Sequence, residues 1–395
     1  MVDQIARDRI KEDLNATLFV EAGAGTGKTT ALVGRIVALV CSGVSMEHIA
    51  AITFTDRAAS ELRDQVRRRF EQLVNQDSDT ADLAAAALVE LDGAALCTLH
   101  AFAQRILIDH PIEAGLPPAV ELMDDVSGLL EFDERWSLTL HDLLNDPDQT
   151  FTVLAGMELG ITLDHLRKLA LRFDENWDLV EQRLPTAPKP TPLAVDQIVE
   201  TLQNLTALAD HCATSDDKMA EKLNAVGEFT EELARNTADP LSVVRLLSKS
   251  PTATGKGAGN KGNWTGEVSV GEVREQLVAT HETITDELQR LTNEIIARLI
   301  QTIGQSAVAA ANQRQRQGQL SFHDLLVLAR RVLLHPDHGL AVRKSLSQRY
   351  QRLLLDEFQD TDPLQIELAA LIADPDTVTT DWRQLKPRPG ALFFV

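Results

Sequence analysis

Eight residues, Ala22-Gly23-Ala24-Gly25-Thr26-Gly27-Lys28-Thr29, constrain this chain more than any other stretch. Glycines let a backbone turn its N–H groups inward, and a helix starting at Lys28 adds the positive end of its dipole. A loop of this kind holds phosphate. Lys28 reaches the outer phosphates as a point charge, and the Thr29 hydroxyl suits Mg²⁺. The candidate nucleotide cradle is therefore Ala22, Gly23, Ala24, Gly25, Thr26, Gly27, Lys28, Thr29 and Thr30, with Ala22 where the general motif begins with glycine. The run Thr17-Leu18-Phe19-Val20-Glu21 reads as a buried strand, and Lys28 to Cys41 as a helix. That strand–loop–helix context separates the motif from a glycine-rich turn that merely caps a helix.

The rhythm continues. Residues 49–54 read as a second strand, 58–74 as a helix, 96–99 as a third strand and 101–109 as another helix. Alternation of this kind signals a parallel sheet with helical crossovers, an α/β fold of the P-loop NTPase type. From about Glu113 the patterns turn helical, as in 129–144 and 273–304. Residues 184–192 carry four prolines and read as an extended linker, and residues 254–263 as a flexible basic loop. The strand signal returns at Arg352-Leu353-Leu354-Leu355, which ends in Asp356-Glu357, and again at 391–395.

A P-loop needs carboxylates at a second strand end before it can hydrolyse anything. Asp356 is the candidate Mg²⁺ ligand and Glu357 the candidate general base. The plain alternative is two acids ending a buried strand. Lys28 and Asp356 are 356 − 28 = 328 residues apart. Both must sit on one sheet at neighbouring strand ends, so the chain between leaves the nucleotide domain and returns.

Composition narrows the classes. No stretch approaches the roughly 20 apolar residues of a membrane span, so no membrane partner is expected. Cys41, Cys97 and Cys212 show no paired spacing, which argues against a zinc site or disulfide framework and suits a reducing cytoplasm. The net charge of −21 argues against nucleic acid until its distribution is examined. Residues 113–185 hold sixteen acids and five bases, whereas 313–352 hold eight bases and two acids, and 57–70 five and two. Such segregation permits a basic DNA-facing surface. A solvated helix face is the better reading for most of these arginines and lysines.

Five motifs, in order, resemble superfamily 1 DNA helicases of the UvrD/Rep/RecB group. They are Ala22 to Thr29, Ile52-Thr53-Phe54-Thr55-Asp56-Arg57-Ala58-Ala59, Thr98-Leu99-His100-Ala101-Phe102, Leu320-Ser321-Phe322-His323-Asp324-Leu325-Leu326 and Asp356-Glu357-Phe358-Gln359-Asp360-Thr361. Phe358, with Thr98 to Leu107 upstream, is more similar to the RecB/AddA branch, whose members often carry a distant nuclease domain. The middle two hundred residues carry little of the resemblance.

The resemblance implies ATP and Mg²⁺ as cofactors, with Lys28, Asp356, Glu357 and Gln359 catalytic and Thr29 and Asp356 at the metal. Gln359 would sense the γ-phosphate. Phe54 and Phe322 would stack on bases of single-stranded DNA; the alternative is that they are core aromatics. Thr55, Thr98 and His100 would meet the DNA backbone, although a histidine before a helix is as often a cap. Residues 1–112 and 317–395 would form the first motor domain and 113–316 a helical insertion. The implied activity is ATP-dependent, 3′→5′ unwinding of DNA in repair or recombination, with single-stranded and duplex DNA, and subunits of a helicase–nuclease complex, as partners. Asp56-Arg57 stands where Asn-Lys is usual, Ala101 where Ser is usual and His323 where Asp is usual. Gln4 is the nearest candidate for the family's adenine-contacting glutamine. Ending inside an apolar run, before the family's next motif, the chain reads as the front part of a longer protein, with weak or no turnover of its own. Three other readings stay open: a UvrD/Rep-type helicase without nuclease, a non-catalytic nucleotide-dependent DNA-binding module, and a P-loop ATPase acting on something other than DNA.

Overall fold

The computed structural model describes all residues except 1–3, 24, 77–79, 254–256, 265–267, 358–362 and 380. The described elements run α1 (Gln4–Glu12), β1 (Leu18–Phe19), α2 (Lys28–Cys41), β2 (Ile49–Thr53), α3 (Asp56–Val74), α4 (Ala81–Glu90), β3 (Ala95–Thr98) and α5 (Leu99–Asp109). After β4 (Glu121–Leu122) come α6 (Asp125–Asn145), α7 (Pro147–Glu158), α8 (Leu163–Glu175), α9 (Trp177–Arg183), α10 (Val195–Thr206), α11 (Lys218–Arg235), α12 (Pro240–Leu247) and α13 (Val270–Gln317). The chain closes with β5 (Gln319–Leu320), α14 (Phe322–Leu334), α15 (Gly339–Arg349), β6 (Arg352–Leu355), α16 (Pro363–Ala373) and β7 (Leu392–Phe394). No described helix is long and apolar enough to cross a membrane.

Two compact units emerge, one of Met1–Asp124 with Asn312–Val395 and one of Asp125–Ala311. Residues 113–124 and 312–316 therefore fall with the first. That unit holds a five-stranded sheet in the order β1-β7-β6-β2-β3, with every pairing parallel. The expected α/β architecture is present. Because side chains alternate across a strand, β2, β3, β6 and β7 each feed two cores, whereas the edge strand β1 gives only Leu18 to one and leaves Phe19 61% exposed. Ala50, Ile52, Ala95, Cys97, Leu353, Leu355 and Leu392 join one, with Phe102, Ala329 and Leu371 from α5, α14 and α16. Ile49, Ala51, Leu96, Leu354 and Phe393 join the other, with Leu32, Leu62 and Ala84 from α2, α3 and α4. Both faces are covered, as a parallel sheet requires.

One expectation is corrected. The P-loop strand β1 does not neighbour the acidic strand β6, because β7 lies between them. One inserted strand separates the two strand ends by about 9–10 Å, twice the inter-strand spacing, which leaves room for phosphate between them.

The second unit is helical among its described residues. One of its cores gathers Phe132, Trp136, Leu291 and Ile295, and another Leu202, Leu223, Trp264 and Val273. The proline-rich stretch is extended but tied down. Ala187 N donates to Gln301 Oε1 at 3.0 Å, Thr191 N donates to Glu294 Oε2 at 2.6 Å, and the Arg290 guanidinium donates to Thr191 O and Pro192 O. An extended proline-rich stretch has no ladder partner, so α13 side chains accept from its N–H groups and donate to its carbonyls. The basic loop includes a 3₁₀ turn at Lys261–Asn263; Lys256 lies outside the described residues. Asp217 organises it. Oδ2 accepts from Asn260 N and Asn263 Nδ2, and Oδ1 from Met219 N and Trp264 Nε1. Burial works against the charged carboxylate, but these four donors outweigh it and bring its pKa to about 2.

A folded pKa below the ordinary 3.8 contributes stability that is present above that value and lost as pH falls towards about 2. Hydrogen-exchange protection over residues 257–264, taken relative to the intrinsic rate at each pH, should therefore stay high at pH 5 and fall between about pH 4 and 2. Asp217→Ala should exchange fast already at neutral pH. Protection unaffected by that substitution would contradict this account.

Candidate active site

The P-loop begins where β1 runs out. Val20 N still donates to Phe394 O at 2.9 Å, and the chain then curls. Gly25 and Gly27 have φ of 76° and 94°, left-handed values that strain any residue with a Cβ. Gly27 is the N-cap of α2 and has no side chain to offer, so the first amides of α2 lack a side-chain cap. Uncapped amides at a helix start are the ones an anion satisfies. Thr26 Oγ1 donates to Gly23 O at 2.7 Å and Arg7 Nη2 donates to Thr26 O at 2.9 Å, so the loop's outer carbonyls are held from α1 and from within.

The carboxylates arrive from the other end of the chain. Asp356 N donates to Ile52 O at 2.9 Å, continuing the β2–β6 ladder one residue past β6. Glu357 then turns sharply. Its φ of 54° is left-handed, a conformation that costs a non-glycine residue about 1–2 kcal/mol. Its N–H donates to Asp356 Oδ1 at 3.0 Å, and Lys28 Nζ donates to its Oε2 at 3.2 Å. Lys28 is 16% exposed and Glu357 42%, so the contact sits at the rim of the site. Burial raises the pKa of Asp356 above the ordinary carboxylate value and Glu357 adds to this, against the Glu357 N–H and the Lys28 charge.

Two clefts meet at the loop. One of about 750 Å³ is lined by Ala22, Gly25, Gly27, Lys28, Thr29, Thr30, Gln65 and Glu357. The other, about 220 Å³, reaches from the loop to Ala6, Arg7 and Ile10 of α1 and to Val20, Glu21 and Ala31. Gln65 and Arg7 did not stand out in the sequence, because neither belongs to a phosphate or carboxylate motif. Gln4 hydrogen-bonds Asp8 at 2.8 Å and does not line either cleft. Ala24 and Gln359 lie outside the described residues.

Residues 3–380 match the family described as UvrD/REP helicase N-terminal domain. The chain belongs to this family. It is similar to an ATP-dependent helicase/nuclease subunit from Pediococcus pentosaceus, at 23% identity over 98% of this chain and 34% of that protein. Proteins of the same description from Levilactobacillus brevis and Lactiplantibacillus plantarum are 28% and 25% identical, over 94% and 96% of this chain and 33% of each relative. This chain thus spans about a third of the length of the curated relatives it matches. The resemblance to the RecB/AddA branch is borne out.

In this UvrD/REP-family chain, Phe54 follows β2 and is 62% exposed, and Phe322 opens α14 at 39%. His100 packs edge-on against Phe322 at 5.1 Å between ring centroids. Burial lowers its pKa, opposed by Asp56 and assisted by His323, so at neutral pH it is an uncharged ring. Thr55 and Thr98 are the N-caps of α3 and α5, their hydroxyls accepting from Ala58 N at 3.1 Å and Ala101 N at 3.4 Å.

Much of the basic 313–352 block is spent inside the first unit. Arg314 pairs with Asp324 at 2.9 Å, with side chains only 3% and 2% exposed. Arg330 pairs with Glu367, Arg349 with Asp109 and Lys344 with Asp376, and Arg343 donates to Thr377 O. Of the 57–70 arginines, Arg63 donates to Leu96 O and Arg67 pairs with Asp92.

Thr55→Ala and Thr98→Ala should each cost about 1 kcal/mol, the usual loss of a capping hydroxyl. Urea midpoints of the two variants measure it. Unchanged midpoints would remove the capping role and leave both hydroxyls for another purpose.

Proposed function

We propose that these residues form the ATP-binding portion of a DNA helicase of repair or recombination, which tracks single-stranded DNA 3′→5′ and opens duplex. The approach of Lys28 Nζ to Glu357 Oε2 at 3.2 Å supports this reading most strongly, because it brings a phosphate-binding lysine and a candidate base together at one sheet edge. In this reading residues 1–112 and 317–395 are the split motor domain, and 113–316 is its insertion.

Each residue has a distinct task. The loop amides and Lys28 bind the outer phosphates of ATP. Glu357 leaves Lys28 when phosphate arrives and accepts the proton of the attacking water at a carboxylate oxygen. Thr29 and Asp356 offer two hard oxygen ligands. No group of three or more His, Cys, Asp or Glu that could hold a metal occurs among the described residues. That sparse oxygen set fits Mg²⁺, which keeps several waters and shares its remaining positions with phosphate. Bound there, Mg²⁺ would neutralise charge on the phosphates. Gln359 is assigned the link between γ-phosphate and DNA. Phe54 and Phe322 stack on bases, with Thr55, Thr98 and His100 beside them at the backbone. The relatives are described as one component of a helicase/nuclease, which supports a complex with partner proteins. The scattered cysteines suit the reducing cytoplasm as its location.

Titration of this chain with a fluorescent ATP analogue tests the nucleotide half. Lys28→Ala should weaken binding at least about tenfold, since a phosphate–ammonium contact is charge-assisted. Asp356→Ala should erase its Mg²⁺ dependence. Phe54→Ala should weaken single-stranded DNA binding by about 1–3 kcal/mol, the value of a stacked base. Equal binding by Lys28→Ala would sink the proposal. Nucleotide binding with no DNA affinity at low salt would leave an ATPase acting on something else.

A further inference from the structure

The cleft on the α1 side of the loop holds a residue whose chemistry decides which base fits there. Ala22, Gly27 and Lys28 line both clefts, so the two adjoin along the loop, and a nucleotide with its phosphates in the larger can extend its nucleoside end into the smaller. The smaller is lined by apolar Ala6, Ile10, Val20 and Ala31, which suit the flat face of a base. Its polar side chains include Arg7, half-buried, and Glu21, exposed at the mouth. Arg7 is fixed from behind, because its Nη2 donates to Thr26 O at 2.9 Å. A Cβ built on Gly27 would stand 3.6 Å from Arg7 Nη1, so the guanidinium lies directly against the loop.

A guanidinium has five N–H donors and no acceptor. Adenine offers an acceptor at N7 next to a donor at N6, and an amide side chain matches both. Guanine offers two adjacent acceptors, N7 and O6, and a guanidinium matches those. Arg7 therefore meets one edge atom of adenine and repels the N6 amino group, but meets two of guanine. The Glu21 carboxylate, an acceptor, can take the guanine N1 and N2 protons or the adenine N6 proton, and so restores no preference for adenine.

We propose that Arg7 is the base-contacting residue of this site and that it removes selectivity for adenine, so that the chain takes purine nucleoside triphosphates in general, GTP at least as well as ATP. Arg7 also ties base to phosphate, since the same guanidinium grips the carbonyl immediately before Gly27. The inference rests on the nucleotide-binding reading above.

Competition of unlabelled ATP, GTP and CTP against a fluorescent nucleotide, with Mg²⁺, tests it on this chain and on Arg7→Gln and Arg7→Ala. The wild type should bind GTP at least as tightly as ATP, and CTP at least about tenfold more weakly than either. Arg7→Gln, which supplies an acceptor beside a donor, should shift the ATP-to-GTP preference towards ATP by about tenfold. Arg7→Ala should weaken both purines and bring them closer to CTP. A structural role for Arg7 alone would lower all three affinities together and leave their ratios unchanged, and that result overturns the proposal. A wild type that prefers ATP more than about tenfold overturns it as well. Lys28→Ala separates the two levels. Ratios unmoved by Arg7 while binding still needs Lys28 defeat the base assignment alone; binding that ignores Lys28 defeats the nucleotide site and this inference with it.

Discussion

Ile52 and Leu355 face each other across a parallel ladder, and Asp356 N closes onto Ile52 O one residue later. The chemistry proposed here depends on that register. A strand's side chains alternate, so a slip of one residue would put Leu354 on the face of Leu355 and send the Asp356 carboxyl to the opposite side of the sheet. The slip is resisted from both faces. Leu353 and Leu355 are committed to one core and Leu354 to the other, each about 1% exposed. The same register sets Thr53 beside Thr98, so that Phe54 and His100 leave the sheet at the same edge as the carboxylates. Three leucines thus fix where two charges, and the two rings beyond them, emerge.

Charge placement follows from the same economy. In the proposed reading, a −21 chain holds phosphate without net attraction to it. The local donors on hand are the uncapped start of α2 and Lys28 at the rim. The cationic residues of 313–352 do other work. Arg314 sits with Asp324 in a nearly dry environment, where losing either partner would strand a buried charge. Asp324 is also the third residue of a capping box with Ser321. Its pKa lies below the usual range although burial pushes the other way, because Arg314 and Ser321 both favour the carboxylate. Arg314, Arg330 and Arg343 of that basic block thus brace the unit that carries the loop from within, while Lys344 and Arg349 pair at its surface.

The sheet was legible because its signals are local. Apolar runs of four or five residues, each followed by a helix, leave few alternatives, and residues 28–41 and 352–355 came out with the bounds read from sequence. What was not legible depended on partners far along the chain. Nothing in Leu392 to Phe394 announces that this strand slides between β1 and β6, since strand order is a property of crossovers and not of composition. Four prolines said that 184–192 is extended, but the side chains that strap it, Glu294 and Gln301, lie more than a hundred residues away. Thr55 and Thr98 stood out in the sequence only through a motif resemblance, and the structure adds that both cap helices.

The candidate site shows the same division more sharply. Its phosphate end is written in consecutive residues, because a loop that wraps an anion must be made of neighbours. Its carboxylates are legible only beside the loop, since two acids ending an apolar strand gain a use once a phosphate cradle lies on the same sheet. The nucleoside end has no such local grammar. A glutamine near the N-terminus was the natural thing to seek, yet Gln4 turns to Asp8, and α1 instead presents Arg7, the residue almost one helical turn further on, to the loop. Whether a residue on that helix meets the cleft is set by the rotation of α1 against α2, where Arg35, itself 1% exposed, donates to Ile10 O and Asp13 O and so clamps the helix's last turn. A buried arginine seven residues into α2 thus decides which side chain of α1 a nucleotide would meet, and that coupling exists only once the two helices have packed.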